Sequence, residues 1–127
     1  MTQTQVRTSD SVVLQQVHLL YQLVDAGDAA GIAQLHAPDA VYHRPGYEPM
    51  VGRERMFQFY HRERIIAEGR HILETMIADE FRVAVNGQFL GTLRDGSAVE
   101  LRFADFFEVD EHALIAHRRT FYFTHTV

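Results

Sequence analysis

The chain has 127 residues, with 46% hydrophobic side chains, nine Phe and five Tyr, enough for one compact domain with its own core. A net charge of −5 argues against a nucleic-acid surface, and the absence of cysteine excludes disulfides, thiolate chemistry and zinc–sulfur sites. The opening residues MTQTQVRTSDS lack the apolar run of a signal peptide, and no stretch is long enough to cross a bilayer, so the expectation is a cytoplasmic protein that avoids membranes.

Residues 1–8 read as a tail ahead of a single domain. In TSDSVVLQQVHLLYQLVDAGD, Val13, Val17, Leu20 and Val24 step by four, three and four, which predicts an amphipathic helix. Ser9 or Asp10 suits its start and Gly27 its stop. Asp28 then caps a short second helix, AAGIAQLH, ended by Pro38. DAVYHRP predicts a short strand running into the loop RPGYEPMVG. RERMFQFYHRERIIAEG predicts a third helix with Met56, Phe59, Tyr60 and Ile66 inward. From Gly69 the period changes to two, and RHILETMIA, FRVAVNGQFLGTLR, AVELRFADFFEV and ALIAHRRTFYFTH predict four strands. Asp95-Gly96 and residues 110–112 are expected turns, and Asn86-Gly87 an expected bulge. Helices followed by an antiparallel meander define an α+β domain, with helices on one face of a curved sheet and a concave pocket between them.

Asp105 is the residue that breaks a pattern. Along AVELRFADFFEV it alternates with Val99, Leu101, Phe103, Phe107 and Val109 on one strand face. A carboxylate on an apolar face loses hydration, which raises its pKa and poises it as an acid or base. The alternative is a structural Asp paired with Arg118 or Arg119 of the next strand. His43, at a strand end, could exchange protons near neutral pH, and Tyr60 could donate to a substrate oxygen or to Asp105. Tyr21 and His18 share a side of the first helix and could line a pocket. Arg44 could hold an anionic substrate, and Phe103 and His117 complete the candidate substrate-binding set. The eight histidines show no i, i+4 helical pair and no HExxH motif, so no metal site is expected. No phosphate-cradling or dinucleotide motif is present either, and no cofactor is expected.

The segments LVDAGDAAGIAQLHAPDAVYHRPGYEP, GRERMFQFY and FADFFEVDEHALIAHRRTFYF together resemble the nuclear-transport-factor-2-like superfamily, and within it the ketosteroid isomerase and SnoaL-like polyketide cyclase branch. The resemblance implies a cone-shaped fold, three N-terminal helices in the concave face of a curved, mostly antiparallel sheet, and a homodimer formed through the sheet. It places Asp105 where isomerases carry an oxyanion-hole aspartic acid and cyclases an acid/base aspartate, and Tyr60 where isomerases have a supporting tyrosine. The isomerase base position, before a proline, reads Arg44 here, with His43 beside it. The isomerase oxyanion tyrosine falls on Leu20, next to Tyr21. The arginine that limonene-epoxide hydrolases carry two residues before their aspartate is Phe103 here. The resemblance therefore implies a cofactor-independent acid/base enzyme, of isomerase, cyclase or dehydratase type. Asp105, His43 and Tyr60 would be catalytic, and a small, largely apolar carbonyl compound the substrate. A ligand-binding or interaction module of the same fold, without chemistry, is the alternative.

Overall fold

The computed structural model describes residues 8–123, with side chains from Ser11 onward. Residues 1–7 of the expected tail lie outside the described residues, as do the side chains of Ser9 and Asp10, the expected caps; Thr8 already belongs to the first helix. Helix α1 (Thr8–Ala26) buries Val13, Val17, Leu20 and Val24 along one stripe, as its spacing predicts. It ends in a Schellman arrangement. Gly27 takes φ +72°, its N–H reaches the Val24 carbonyl at 3.1 Å, and the Asp28 N–H reaches that of Leu23 at 3.0 Å. Asp28 then caps α2 (Ala29–Gln34), its Oδ1 accepting from the Gly31 N–H at 2.9 Å.

Six strands follow: β1 (His36–His43), β2 (Met50–Val51), β3 (Ile66–Asp79), β4 (Arg82–Leu93), β5 (Ala98–Val109) and β6 (Ile115–Tyr122), with α3 (Arg53–Gln58) between β2 and β3. They form one sheet in the order β2-β1-β6-β5-β4-β3. Every neighbouring pair is antiparallel except β1 with β6, which is parallel. The α+β expectation holds, with the helices packed in the concave face of the curved sheet.

Three local expectations change. Pro38 does not end α2, which stops at Gln34; it lies inside β1, in the gap where pairing to β6 lapses between His36 and Val41, so its missing N–H costs no ladder bond. The third helix does not reach Gly69. It passes into a π-helical turn at Phe59–Glu63 and stops, because Ile65 and Ile66 join the sheet instead: the Arg94 N–H bonds the Ile65 carbonyl at 2.8 Å and Ile66 pairs with Leu93. The bulge occurs at Asn86-Gly87, but the extra residue is Glu74 on the facing strand. A Cβ on Gly87 would sit 2.2 Å from the Ile72 carbonyl oxygen, so this close approach of backbones requires glycine.

The main core lies between α1 and strands β4 and β5, and a second cluster of Ala37, Ala40, Tyr42, Met50, Met56 and Phe59 fills the space under α3. On β5 the alternation is kept: Leu101, Phe103, Asp105, Phe107 and Val109 are buried and the intervening Arg102, Phe106 and Glu108 are exposed.

Candidate active site

Asp105 is fully buried and both of its oxygens accept hydrogen bonds. Oδ2 accepts from the Tyr21 hydroxyl of α1 and from Arg118 Nη2 of β6 at 2.9 Å, and Oδ1 accepts from the Thr120 hydroxyl. The Thr120 proton is committed to Asp105, so the Tyr42 hydroxyl, 3.0 Å away, donates to Thr120 Oγ1, and Arg44 Nη1 donates to Tyr42 at 3.0 Å. With Arg118 paired to it, Asp105 is the carboxylate, and the donors in this chain then all point towards it. Burial pushes its pKa up, but Arg118, Thr120 and Tyr21 together hold it below the ordinary carboxylate value. This corrects the expectation of a raised pKa. Desolvation is visible in the strand pattern; the donors that overcome it come from α1 and β6. Of the partners weighed for Asp105, the structure provides Arg118, while Arg119 is exposed on the other face.

Arg118 also turns Tyr60 into a donor. Its Nη1 gives a hydrogen bond to the Tyr60 oxygen at 2.9 Å, and the Tyr60 proton is used by no partner among the described residues. Burial raises the phenol pKa, yet Arg118, Arg44 and Arg64 outweigh it and the net direction is below the usual 10.0. The Tyr21 phenol moves the other way, well above 10.0, through burial and the Asp105 charge.

A second polar pair joins the cluster. His71 on β3 places Nδ1 2.6 Å from Asp25 Oδ1, and its own backbone N–H donates to Asp25 Oδ2 at 2.9 Å. With both Asp25 oxygens accepting, Nδ1 carries the imidazole proton and Nε2, on the far side of the ring, is the bare nitrogen. Burial lowers the His71 pKa below 6.5 despite the opposing pull of Asp25, so the ring is neutral at pH 7. Aromatic contacts to Phe89 at 4.8 Å, Tyr21 at 5.0 Å and Phe103 at 5.3 Å fix its plane. Phe89 can lie there because Gly69 faces it: a Cβ on Gly69 would meet the Phe89 ring at 2.3 Å.

These groups surround one internal cavity of about 10 Å³, room for no more than a single water molecule. Asp105, Arg118, Thr120, Tyr60, His71, Phe103, Arg44 and Arg64 all line it. Of the residues singled out in the sequence, Asp105, Tyr60, Arg44 and Phe103 therefore share one space, and Tyr21 abuts it through its bond to Asp105. His18 lies outside, in a surface groove between α1 and β3. His43 and His117 do not join Asp105. They meet each other, ring centres 5.0 Å apart, on the opposite face of the sheet, because the alternation that turns Tyr42 and Arg118 inward turns their neighbours out. His71, Asp25, Thr120 and Arg64 were missed. His71 and Asp25 meet across 46 residues, which no periodicity reveals, although the alternation of RHILETM does put His71 on one face with Gly69 and Leu73. Among the described residues no cluster of His, Asp and Glu has metal-holding geometry, and no helix is long and apolar enough to cross a membrane.

The helices in the concave face of a curved sheet, around a buried polar cluster, are the architecture of the nuclear-transport-factor-2-like superfamily. The SnoaL-like domain model matches residues 17–118, and the chain belongs to that family. No match was found among curated proteins. Solved structures with the same fold include an NTF2-like protein from Anabaena variabilis, at 19% identity and TM-score 0.81, covering 99% of this chain and 97% of that one. The epoxide hydrolase/cyclase-like enzyme SalBIII, which acts in pyran ring formation in the polyether salinomycin, is 19% identical with TM-score 0.79, over 89% of this chain and 92% of its own. An LEH-like epoxide hydrolase from M. tuberculosis is 17% identical with TM-score 0.77, over 88% of this chain and 83% of its own. At these identities the likeness is one of fold.

Proposed function

We propose that the protein is a cofactor-independent acid/base enzyme, of isomerase, cyclase or dehydratase type, acting on a small, largely apolar carbonyl compound. The observation that carries this reading is that an oriented base and an oriented acid line one cavity: His71, held by Asp25, and Tyr60, held by Arg118. Their environments move both groups towards their tasks, with imidazole kept neutral and phenol made more acidic. In the reaction His71 Nε2 takes a proton from the carbon beside the carbonyl, and Tyr60 gives its hydrogen bond to the carbonyl oxygen as negative charge develops there. Arg118 stabilises that charge through the Tyr60 oxygen. Return of the proton from His71 to a different carbon completes an isomerisation. In this reading Asp105 is a positioning residue, which replaces the acid/base role expected from the sequence, and His43 has no part.

The test is exchange of α-protons into deuterated water over a panel of cyclic ketones and 1,3-diketones. The wild type accelerates exchange for at least one compound, His71→Gln lowers that rate by about 100-fold or more, and Tyr60→Phe lowers it by a smaller factor. No acceleration across the panel, or an unchanged rate in His71→Gln, would contradict the assignment. One observation favours a second reading, a ligand-binding module without chemistry: the Asp105–Arg118 pair is closed and the cavity nearly filled.

The partner we propose is a second copy of the chain, seated on the outer face of the sheet. Ile77, Phe106 and Phe121 line a groove of about 550 Å³ there, and all three are exposed.

A further inference from the structure

Arg64 occupies an unusual position. It follows the π-helical turn, lines the internal cavity, and has no carboxylate partner among the described residues. Its Nε is buried without a hydrogen bond. Among the described residues the guanidinium is held over two rings, 5.5 Å from the centre of Tyr60 and 5.8 Å from that of Phe89. Such contacts are worth about 0.5–2 kcal/mol. The backbone of the same residue is fixed: its N–H bonds the Phe59 carbonyl at 2.9 Å, and its carbonyl accepts from Arg94 Nε at 2.6 Å. The main chain is thus anchored by hydrogen bonds, while the side chain is held by ring contacts without a hydrogen bond among the described residues.

Four residues separate the internal cavity from an outer surface depression of about 380 Å³, since Val24, Tyr60, Arg64 and Ile66 line both. Arg64 is the long, weakly held member of that wall. The outer depression also carries Asp25, Glu68 and Arg94, so its charges are mixed. Inside, Asp105 is the one carboxylate among the described lining residues, and Arg118 already neutralises it. A buried guanidinium with an unused donor favours an incoming anion, because pairing there offsets its own desolvation.

We infer that the ligand is a small carbonyl compound bearing a carboxylate, and that Arg64 both receives the carboxylate and, by swinging, joins the internal cavity to the outer depression. The carbonyl half rests on the acid/base reading above; the carboxylate half does not. On binding, the Arg64 side chain leaves the Tyr60 and Phe89 rings, the two spaces merge, and the reacting end of the ligand lies between Tyr60 and His71 with its carboxylate towards the mouth. The lowered Arg64 pKa, caused first by burial and then by the repulsion of Arg44 against a pull from Tyr60, agrees with a cation in need of a counter-charge.

The experiment titrates the full chain with benzoate and with its neutral isostere benzamide, following the backbone amides of Ile66, Phe89 and Phe103 by NMR. Benzoate is expected to bind the wild type about tenfold or more tightly than benzamide, with shifts reaching Phe103. Arg64→Gln should bring the benzoate affinity to within about twofold of the benzamide affinity of the same variant, while Arg64→Lys retains an intermediate preference for benzoate. Equal affinities in the wild type, absence of benzoate binding, an Arg64→Gln variant that keeps its benzoate affinity, or shifts that stop at Ile66 would each overturn the inference. His71→Gln should still bind benzoate. Binding that responds to Arg64, without proton exchange on any ketone, would leave this inference standing and remove the acid/base reading; exchange activity with no preference for benzoate would do the reverse.

Discussion

Strands β5 and β6 present opposite chemistries on their two faces. Inside lie a carboxylate, an arginine and a threonine, with Asp105 and Arg118 0% and 3% exposed; outside, Phe106 and Phe121 are 50% and 47% exposed and meet edge to face at 5.9 Å. At these positions the usual arrangement of polar groups outside and apolar groups inside is inverted, while the rest of β5 keeps it, with Leu101, Phe103 and Phe107 buried and Arg102 and Glu108 exposed. A buried ion pair is weak support for stability, since desolvation offsets most of its attraction. Its retention here is explained by orientation: Arg118 aims Tyr60, Asp105 holds Arg118, and Tyr21 and Thr120 complete the carboxylate. The outer aromatics are the residues that the proposed second copy would cover.

The largest predicted contrast comes from cutting into the inner face. Asp105→Ala leaves Arg118 buried without its counter-charge and should cost about 3–5 kcal/mol in urea unfolding. Adding Arg118→Met should recover most of that loss, because the uncompensated charge is then gone. A single-variant cost below about 1 kcal/mol would remove the buried network from the account.

Acid should separate inside from outside next. His36 is buried, its Nδ1–H donates to the Ile32 carbonyl at 2.8 Å, and burial lowers its pKa from 6.5 to about 4. The unfolded chain therefore binds more protons between those values, so the stability is complete above the unfolded value and lost as pH falls towards 4. From pH 7 to pH 5 the expected loss is about 2 kcal/mol, and His71, also lowered by burial, acts in the same direction. His36→Asn, which keeps a donor for Ile32, should flatten the profile when unfolding is followed across this range.

An exposed hydrogen bond gives the scale against which the buried ones are read. Asp28→Ala removes the α2 cap and should lower stability by about 1 kcal/mol. The smallest effect on folding belongs to the outer face. Phe106→Ser with Phe121→Ser should change monomer unfolding by about 0.5 kcal/mol, yet abolish the proposed dimer in sedimentation velocity. A dimer that survives both changes would place the second copy elsewhere.

The sequence carried most of the fold because its local signals are strong. The α1 stripe, the Gly27 stop, the Asp28 cap and the whole of β5 follow from spacing and turn chemistry, and each is found in place. The third helix ends earlier than its spacing predicts, because the apolar pattern continues into Ile66 while the event that ends the helix, pairing with Leu93, is remote in sequence. The site was half legible. Alternation turns Asp105 inward, and the same rule applied to β1, where Ala40 and Tyr42 face in, would have turned His43 outward. The contacts of His71 with Asp25 and of Arg64 with Tyr60 and Phe89 depend on how the helices seat in the sheet, and no short-range pattern encodes them.

The central claim is that His71 is a neutral base with its bare nitrogen turned away from Asp25. Nitrogen-15 NMR of the histidine side chains, followed through a pH titration, tests it most directly. The account predicts a proton on Nδ1, an unprotonated Nε2 at pH 7, and a His71 midpoint below the ordinary 6.5 that falls further in Asp25→Asn, which removes the one charge pulling it up. An imidazolium at pH 7, or a proton resident on Nε2, would contradict it.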